Sequence, residues 1–213
     1  ESLAARWSLP GIVVETGASG TLILEPAVWE NPFLDVTDGD WYAEAAAYVC
    51  ARGILDGTGS GRFSPEQAVT RGMLVTMLYR LEAVQNAKST AAFTDVDAGR
   101  WYTDAVVWAS ENGIVTGYSD GSFRPDDSLT REQMAVLLYR YAQYHGLDVH
   151  ASEPLTGYAD AGTIQSWARD AFTWAVETGL MQGTGGTSLT PAGTATRGQM
   201  AEILARFCRA AAG

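Results

Sequence analysis

One seventeen-residue pattern occurs three times in this chain, and it constrains the fold more than any other feature. WYAEAAAYVCARGILDG (residues 41–57) aligns without gaps on WYTDAVVWASENGIVTG (101–117) and on WARDAFTWAVETGLMQG (167–183). Each copy runs from Trp to Gly over a spacing of 12: Trp41 to Gly53, Trp101 to Gly113, Trp167 to Gly179. Downstream, Pro65, Pro125 and Pro191 correspond, as do Thr70-Arg71, Thr130-Arg131 and Thr196-Arg197, at offsets of 60 and then 66 residues. Upstream stand FLDV (33–36), FTDV (93–96) and a weaker YADA (158–161), which carries one extra residue before its Trp. Chance does not place a dozen residues in register three times, so the chain holds three copies of one unit.

Inside each unit the apolar spacing is helical. Trp41, Ala45, Tyr48 and Val49 recur at i, i+4, i+7 and i+8, and Gly53 supplies a C′ stop. A Gly/Ser/Pro loop follows, and a second helix opens after Thr70 with Leu74, Met77, Leu78 and Leu81 on one face. Its counterparts are Met134, Leu137, Leu138 and Tyr141, then Met200, Ile203, Leu204 and Phe207, and these stripes read as core. Phe63, Phe123 and Leu189 read as plugs that seat the loops. A lone helix–loop–helix cannot bury its apolar face, whereas three around a common axis do so. The expected fold is all-α, a pseudo-threefold bundle of repeats at 33–92, 93–157 and 158–213, with 83–92 and 143–157 as linkers. Residues 1–32 fall outside the repeat. IVVETGASGTLIL (12–24) reads as two short strands about a turn, hairpin-like or extended, as the tail of a preceding domain or lying on the bundle.

Composition excludes several functions. With 25 acidic and 14 basic residues the formal charge is −11, which argues against nucleic acid or an anionic membrane as partner. An anion, if bound, must be held locally by placed donors. No apolar run has the length of a membrane span. The chain begins at Glu1 without a signal-peptide pattern and reads as a processed or excised piece. Cys50 and Cys208 lie in helical patterns and read as small buried hydrophobes, with a disulfide between them open in a secreted context. There is no Ser/His/Asp order, no Cys/His pair and no zinc spacing. His145 and His150 sit in a linker without a third ligand. YSDGSFRPDD (118–127) is faintly calcium-loop-like, but its sister loop GTGSGRFSP (57–65) has no carboxylate. Neither an enzyme, a metal nor a cofactor is expected.

An anomaly remains. Thr130 is a good N-cap, and Gln133 three residues on completes a capping box. Arg131 then occupies the first helical position, where the macrodipole disfavours a cation by about 0.3–1 kcal/mol. Arg71 and Arg197 repeat the placement. Either an anion occupies the helix start, held by free N–H groups and a guanidinium, or the arginines have internal partners such as Asp35, Asp95 or Asp160 of a neighbouring unit. Trp41, Trp101 and Trp167 are core or else sugar platforms. Gly57, Gly117 and Gly183 serve a turn with φ > 0, or else let a ligand approach the main chain.

The set F-x-D-V, W-Y or W-A, G-I-x-x-G, G-x-F-x-P and T-R-x-x, three times over, closely resembles the S-layer homology domain across about residues 33–210. The resemblance implies non-covalent, extracellular attachment to the cell wall or surface layer of a Gram-positive-type bacterium. It implies grooves between adjacent repeats that bind an anionic secondary cell wall polymer, with pyruvylated N-acetylmannosamine as the recognised group. By position, Arg71, Arg131 and Arg197 would bind its carboxylate, and Trp41, Trp101 and Trp167 would stack on or border the sugar. Asp35, Asp95 and Asp160 would bond hydroxyls or brace the groove, and Gly57, Gly117 and Gly183 would line it. Three weak grooves on one polymer gain by effective concentration. The family's T-R-A-E departs here to Met73, Gln133 and Gln199 in its fourth position. The third loop, GTGGTSLTP (183–191), lacks Asp-Gly and Phe, so the second repeat is expected to be the most regular and the third groove the least. The competing expectation is a structural, self-associating module of a surface-layer protein whose arginines pair internally.

Overall fold

The structure, a computed structural model, describes residues 12–16, 22–26, 30–82, 93–152 and 155–212; the expected linker 83–92 lies outside them. Ile12–Thr16 (β1) pairs antiparallel with Leu22–Pro26 (β2), Val14 opposite Leu24. Six helices follow: Ala43–Ala51 (α1), Arg71–Leu81 (α2), Thr103–Glu111 (α3), Arg131–Tyr144 (α4), Arg169–Glu177 (α5) and Arg197–Ala212 (α6). The described repeats are all-α.

Local chemistry sets the helix limits. Thr70, Thr130 and Thr196 each accept the N–H three residues on, and Gln133 and Gln199 return a bond to the cap N–H. Met73 has no such group, so α2 keeps half of the box. Gly53, Gly113 and Gly179 stop the first helix of each unit in the left-handed region, with φ of 65°, 70° and 71°. One boundary differs from expectation. α4 runs through Tyr144 with His145 as its C-cap, so the linker placed at 143 starts later. Packing extends the helix: buried Glu82, at the end of α2, accepts bonds from Tyr141 Oη at 2.6 Å and meets His145 Nε2 at 2.7 Å. The extra residue of the third unit is taken up in two short 3₁₀ turns, Ala161–Thr163 and Ser166–Ala168.

The repeats interlock. α2 packs on α3, α4 on α5, and α6 returns to α1. The second helix of each unit therefore buries its face against the first helix of the next, and the chain closes into a ring. At the centre Val69 N donates to Ala195 O (2.9 Å), Ala195 N to Leu129 O (3.3 Å) and Leu129 N to Val69 O (2.9 Å). This triangle of hydrogen bonds marks the pseudo-threefold axis. All three side chains are fully buried, as are Phe63, Phe123 and Leu189, the expected plugs, and the equivalent Leu78, Leu138 and Leu204. One continuous core joins the units.

Candidate functional site

The conspicuous arginines lie where repeats meet. Arg71, Arg131 and Arg197 are only 7%, 4% and 2% exposed. Arg71 Nε donates to Phe123 O of the second repeat (2.8 Å), and its Nη2 reaches Thr116 O (3.5 Å). Arg131 does the same to Leu189 O (2.8 Å) and Gln182 O (2.5 Å) of the third. Arg197 returns to Phe63 O (2.7 Å) and Asp56 O (2.5 Å) of the first. The partners are main-chain carbonyls, not the aspartates that the internal-pairing alternative offered. Among the described residues none of the three arginines forms an ion pair. Burial pulls all three guanidinium pKa values below the usual arginine value.

The helix starts are not open to an anion. Arg71 N and Gly72 N donate to Asp127 O and Pro125 O, Arg131 N and Glu132 N to Gly193 O and Pro191 O, and Arg197 N and Gly198 N to Gln67 O and Pro65 O. With the third N–H taken by Thr, the groups that would have cradled an anion are satisfied by the adjoining repeat. What remains for an anion is the guanidinium's unused Nη edge.

The aspartates hold the loops that supply those carbonyls. Asp35 accepts from Phe63 N (2.7 Å) and Ser64 N (2.9 Å). Asp95 accepts from Phe123 N and Arg124 N, both at 2.7 Å, and Asp160 from Leu189 N (2.8 Å) and Thr190 N (2.7 Å). Ser64, Arg124 and Thr190 are left-handed non-glycine residues, with φ of 57°, 60° and 46°, each standing before a proline. That conformation costs about 1–2 kcal/mol. It turns the preceding Phe or Leu carbonyl, and the following proline carbonyl, toward the arginine helix of the preceding repeat around the ring. Each aspartate thus braces a loop, and none of the three is among the residues that line the grooves.

Three equivalent grooves result, and each draws on all three repeats. The Arg71 groove combines Arg71 with Gly117 and Arg140 of the second repeat and Trp167 of the third. The Arg131 groove takes Gly183 and Arg206 from the third repeat and Trp41 from the first. The Arg197 groove takes Gly57 and Arg80 from the first and Trp101 from the second. Volumes are about 190, 380 and 140 Å³ respectively. These are at the low end of, or below, the range of about 300–1,000 Å³ for drug-sized sites.

The core reading of the tryptophans is overturned. Trp41, Trp101 and Trp167 are 62%, 59% and 56% exposed, because each sits in the turn ahead of its helix; Trp41 and Trp101 meet Tyr42 and Tyr102 edge-on. The glycines line the grooves, yet Gly57, Gly117 and Gly183 do not have positive φ. They are glycines because the chain's own loop is too close. A Cβ on Gly57 would stand 2.6 Å from the Phe33 ring and 2.8 Å from Arg62 O, and one on Gly183 would stand 2.8 Å from Ser188 O. The disulfide does not form: Cys50 and Cys208 are free thiols. A second arginine per groove, Arg80, Arg140 and Arg206, escaped the sequence reading. It stands nine residues after each Thr-Arg arginine, a repeated spacing that was there to be seen.

The sequence profile of the S-layer homology domain matches residues 32–72, 92–135 and 157–201. The chain belongs to the S-layer homology family. It is 31% identical over 179 residues, 83% of its length, to the amylopullulanase of Thermoanaerobacterium thermosulfurigenes. It is 30% identical over 76% of its length to the surface-layer 125 kDa protein of Lysinibacillus sphaericus. It is also 26% identical over 82% of its length to the S-layer protein of Bacillus thuringiensis subsp. finitimus. The match spans 9%, 14% and 21% of those three proteins. Relatives of such different names share this module, which belongs at the extracellular cell wall or surface layer of Gram-positive-type bacteria.

Proposed function

We propose that this S-layer homology module anchors a larger secreted protein non-covalently to the cell wall. It does so by binding an anionic secondary cell wall polymer in the grooves between repeats, through pyruvylated N-acetylmannosamine. One observation carries the reading: three buried guanidinium groups face grooves with only neutral carbonyls bonded to them. A buried cation without a counter-charge is costly, and a ligand carboxylate on its free edge removes that cost with two parallel bonds. The exposed indole across each groove offers an apolar face to a sugar ring.

The arginines are paired internally, as the structural alternative requires, but with carbonyls, which leaves their charge available. The test is co-sedimentation with purified cell walls before and after chemical removal of the secondary polymer. The triple variant Trp41→Ala, Trp101→Ala, Trp167→Ala should stay folded and remain in the supernatant. Equal sedimentation with stripped walls would refute the reading.

A further inference from the structure

The three grooves share a plan but not a charge. The Arg197 groove is lined by Asp56, whose Oδ2 lies 2.7 Å from Arg80 Nη1. The Arg131 groove is lined by Glu202, whose Oε1 lies 2.9 Å from Arg206 Nη2 and 3.0 Å from its Nε. In each, a carboxylate of the protein already occupies the second arginine and repels an incoming one.

The Arg71 groove has neither acid. The position of Asp56 is Thr116 there, and that of Glu202 is Val136. Its second arginine, Arg140, forms no ion pair among the described residues. Asp127 and Asp95 lie near enough to Arg71 to be felt, offset by Arg124, but neither lines the groove. Two cations therefore face the same space without a bound counter-charge. The groove also gains a second aromatic wall, Tyr118, where the sister positions hold Thr58 and Thr184.

We infer that the Arg71 groove is the carboxylate-selective site, with Arg71 and Arg140 as the specificity-determining pair and the sugar held between Trp167 and Tyr118. The other two grooves take uncharged sugar units of the same polymer. This rests on the anchoring function proposed above.

Side-chain NMR of the whole chain decides it, following the tryptophan indole N–H signals during titration with the methyl glycoside of pyruvylated N-acetylmannosamine, and separately with the ketal-free sugar. The Trp167 signal should move first and only with the pyruvylated sugar. Arg140→Ala should weaken that site about tenfold or more, the worth of one charge-assisted bond. Glu202→Val, which installs the residue of the Arg71 groove, should strengthen the Trp41 site for the pyruvylated sugar. Trp41 or Trp101 responding first, all three responding together, or Trp167 responding alike to both sugars would overturn the ranking and leave the anchoring function standing. No response to either sugar would overturn both.

Discussion

Arg131→Met is the sharpest probe of how the ring is held shut. Methionine keeps most of the stem's volume and removes both donors. Leu189 O and Gln182 O, bonded at 2.8 and 2.5 Å, then lose their partners inside a joint where Arg131 is 4% exposed. Hydrogen bonds from a charged donor are worth about 1.5–3 kcal/mol each, or about 3–6 kcal/mol for two. Deleting a buried guanidinium also deletes its desolvation penalty, which offsets part of the loss. We expect a net destabilisation of about 2–3 kcal/mol. In a chain of this size that lowers the melting midpoint by about 5–10 °C, read by circular dichroism at 222 nm. Arg131→Lys should recover little, since one ammonium cannot point at two carbonyls as a guanidinium does. Arg124→Met, which breaks the exposed pair with Asp120, should leave the midpoint close to that of the parent. If Arg131→Met melted within about 1 °C of the parent, the arginines would not be joining the repeats.

Three further outcomes follow from the same geometry. Gly117→Ala should cost about 1–3 kcal/mol in a denaturant melt, because the added methyl meets the Phe93 ring and stands 2.8 Å from Ser122 O. The N–H groups of Leu189 and Thr190 hold the Asp160 carboxyl below the usual aspartate value. Its contribution is therefore present above the unfolded value of about 3.9 and is lost as pH falls toward the folded one. The melting midpoint should fall below about pH 4, less steeply in Asp160→Asn, and an unchanged acid limb in that variant would exclude the brace. Burial pushes the Cys50 and Cys208 thiols up to about 12. A disulfide-exchange reagent at pH 8 should therefore label neither in the folded protein and both in urea, and one rapidly labelled native thiol would contradict this.

Much of this was legible in the chain. Leu78, Leu138 and Leu204 announce their burial by spacing, and Thr130 with Gln133 announces a helix start by chemistry that is local. What stayed hidden depends on which repeat meets which. Every residue carries a carbonyl, so no pattern marks Leu189 O or Phe63 O as the partner of an arginine 58 or 134 positions away. The aspartates stood as one alternative partner of the arginines for the same reason: a carboxylate is a visible partner, and a turned main chain is not. Trp41 looked like core because it keeps helical spacing with Ala45, yet α1 begins only at Ala43 and leaves the indole in the turn. The second arginine was different. Arg80, Arg140 and Arg206 repeat as faithfully as the first set and needed only the alignment already drawn.

The most direct test of the anchoring function is calorimetric titration of the chain with a pyruvylated N-acetylmannosamine disaccharide, beside the same sugar without its ketal. Tighter binding of the pyruvylated sugar than of the ketal-free one is the expected result. Equal binding of both sugars, or of neither, would contradict recognition through the carboxylate.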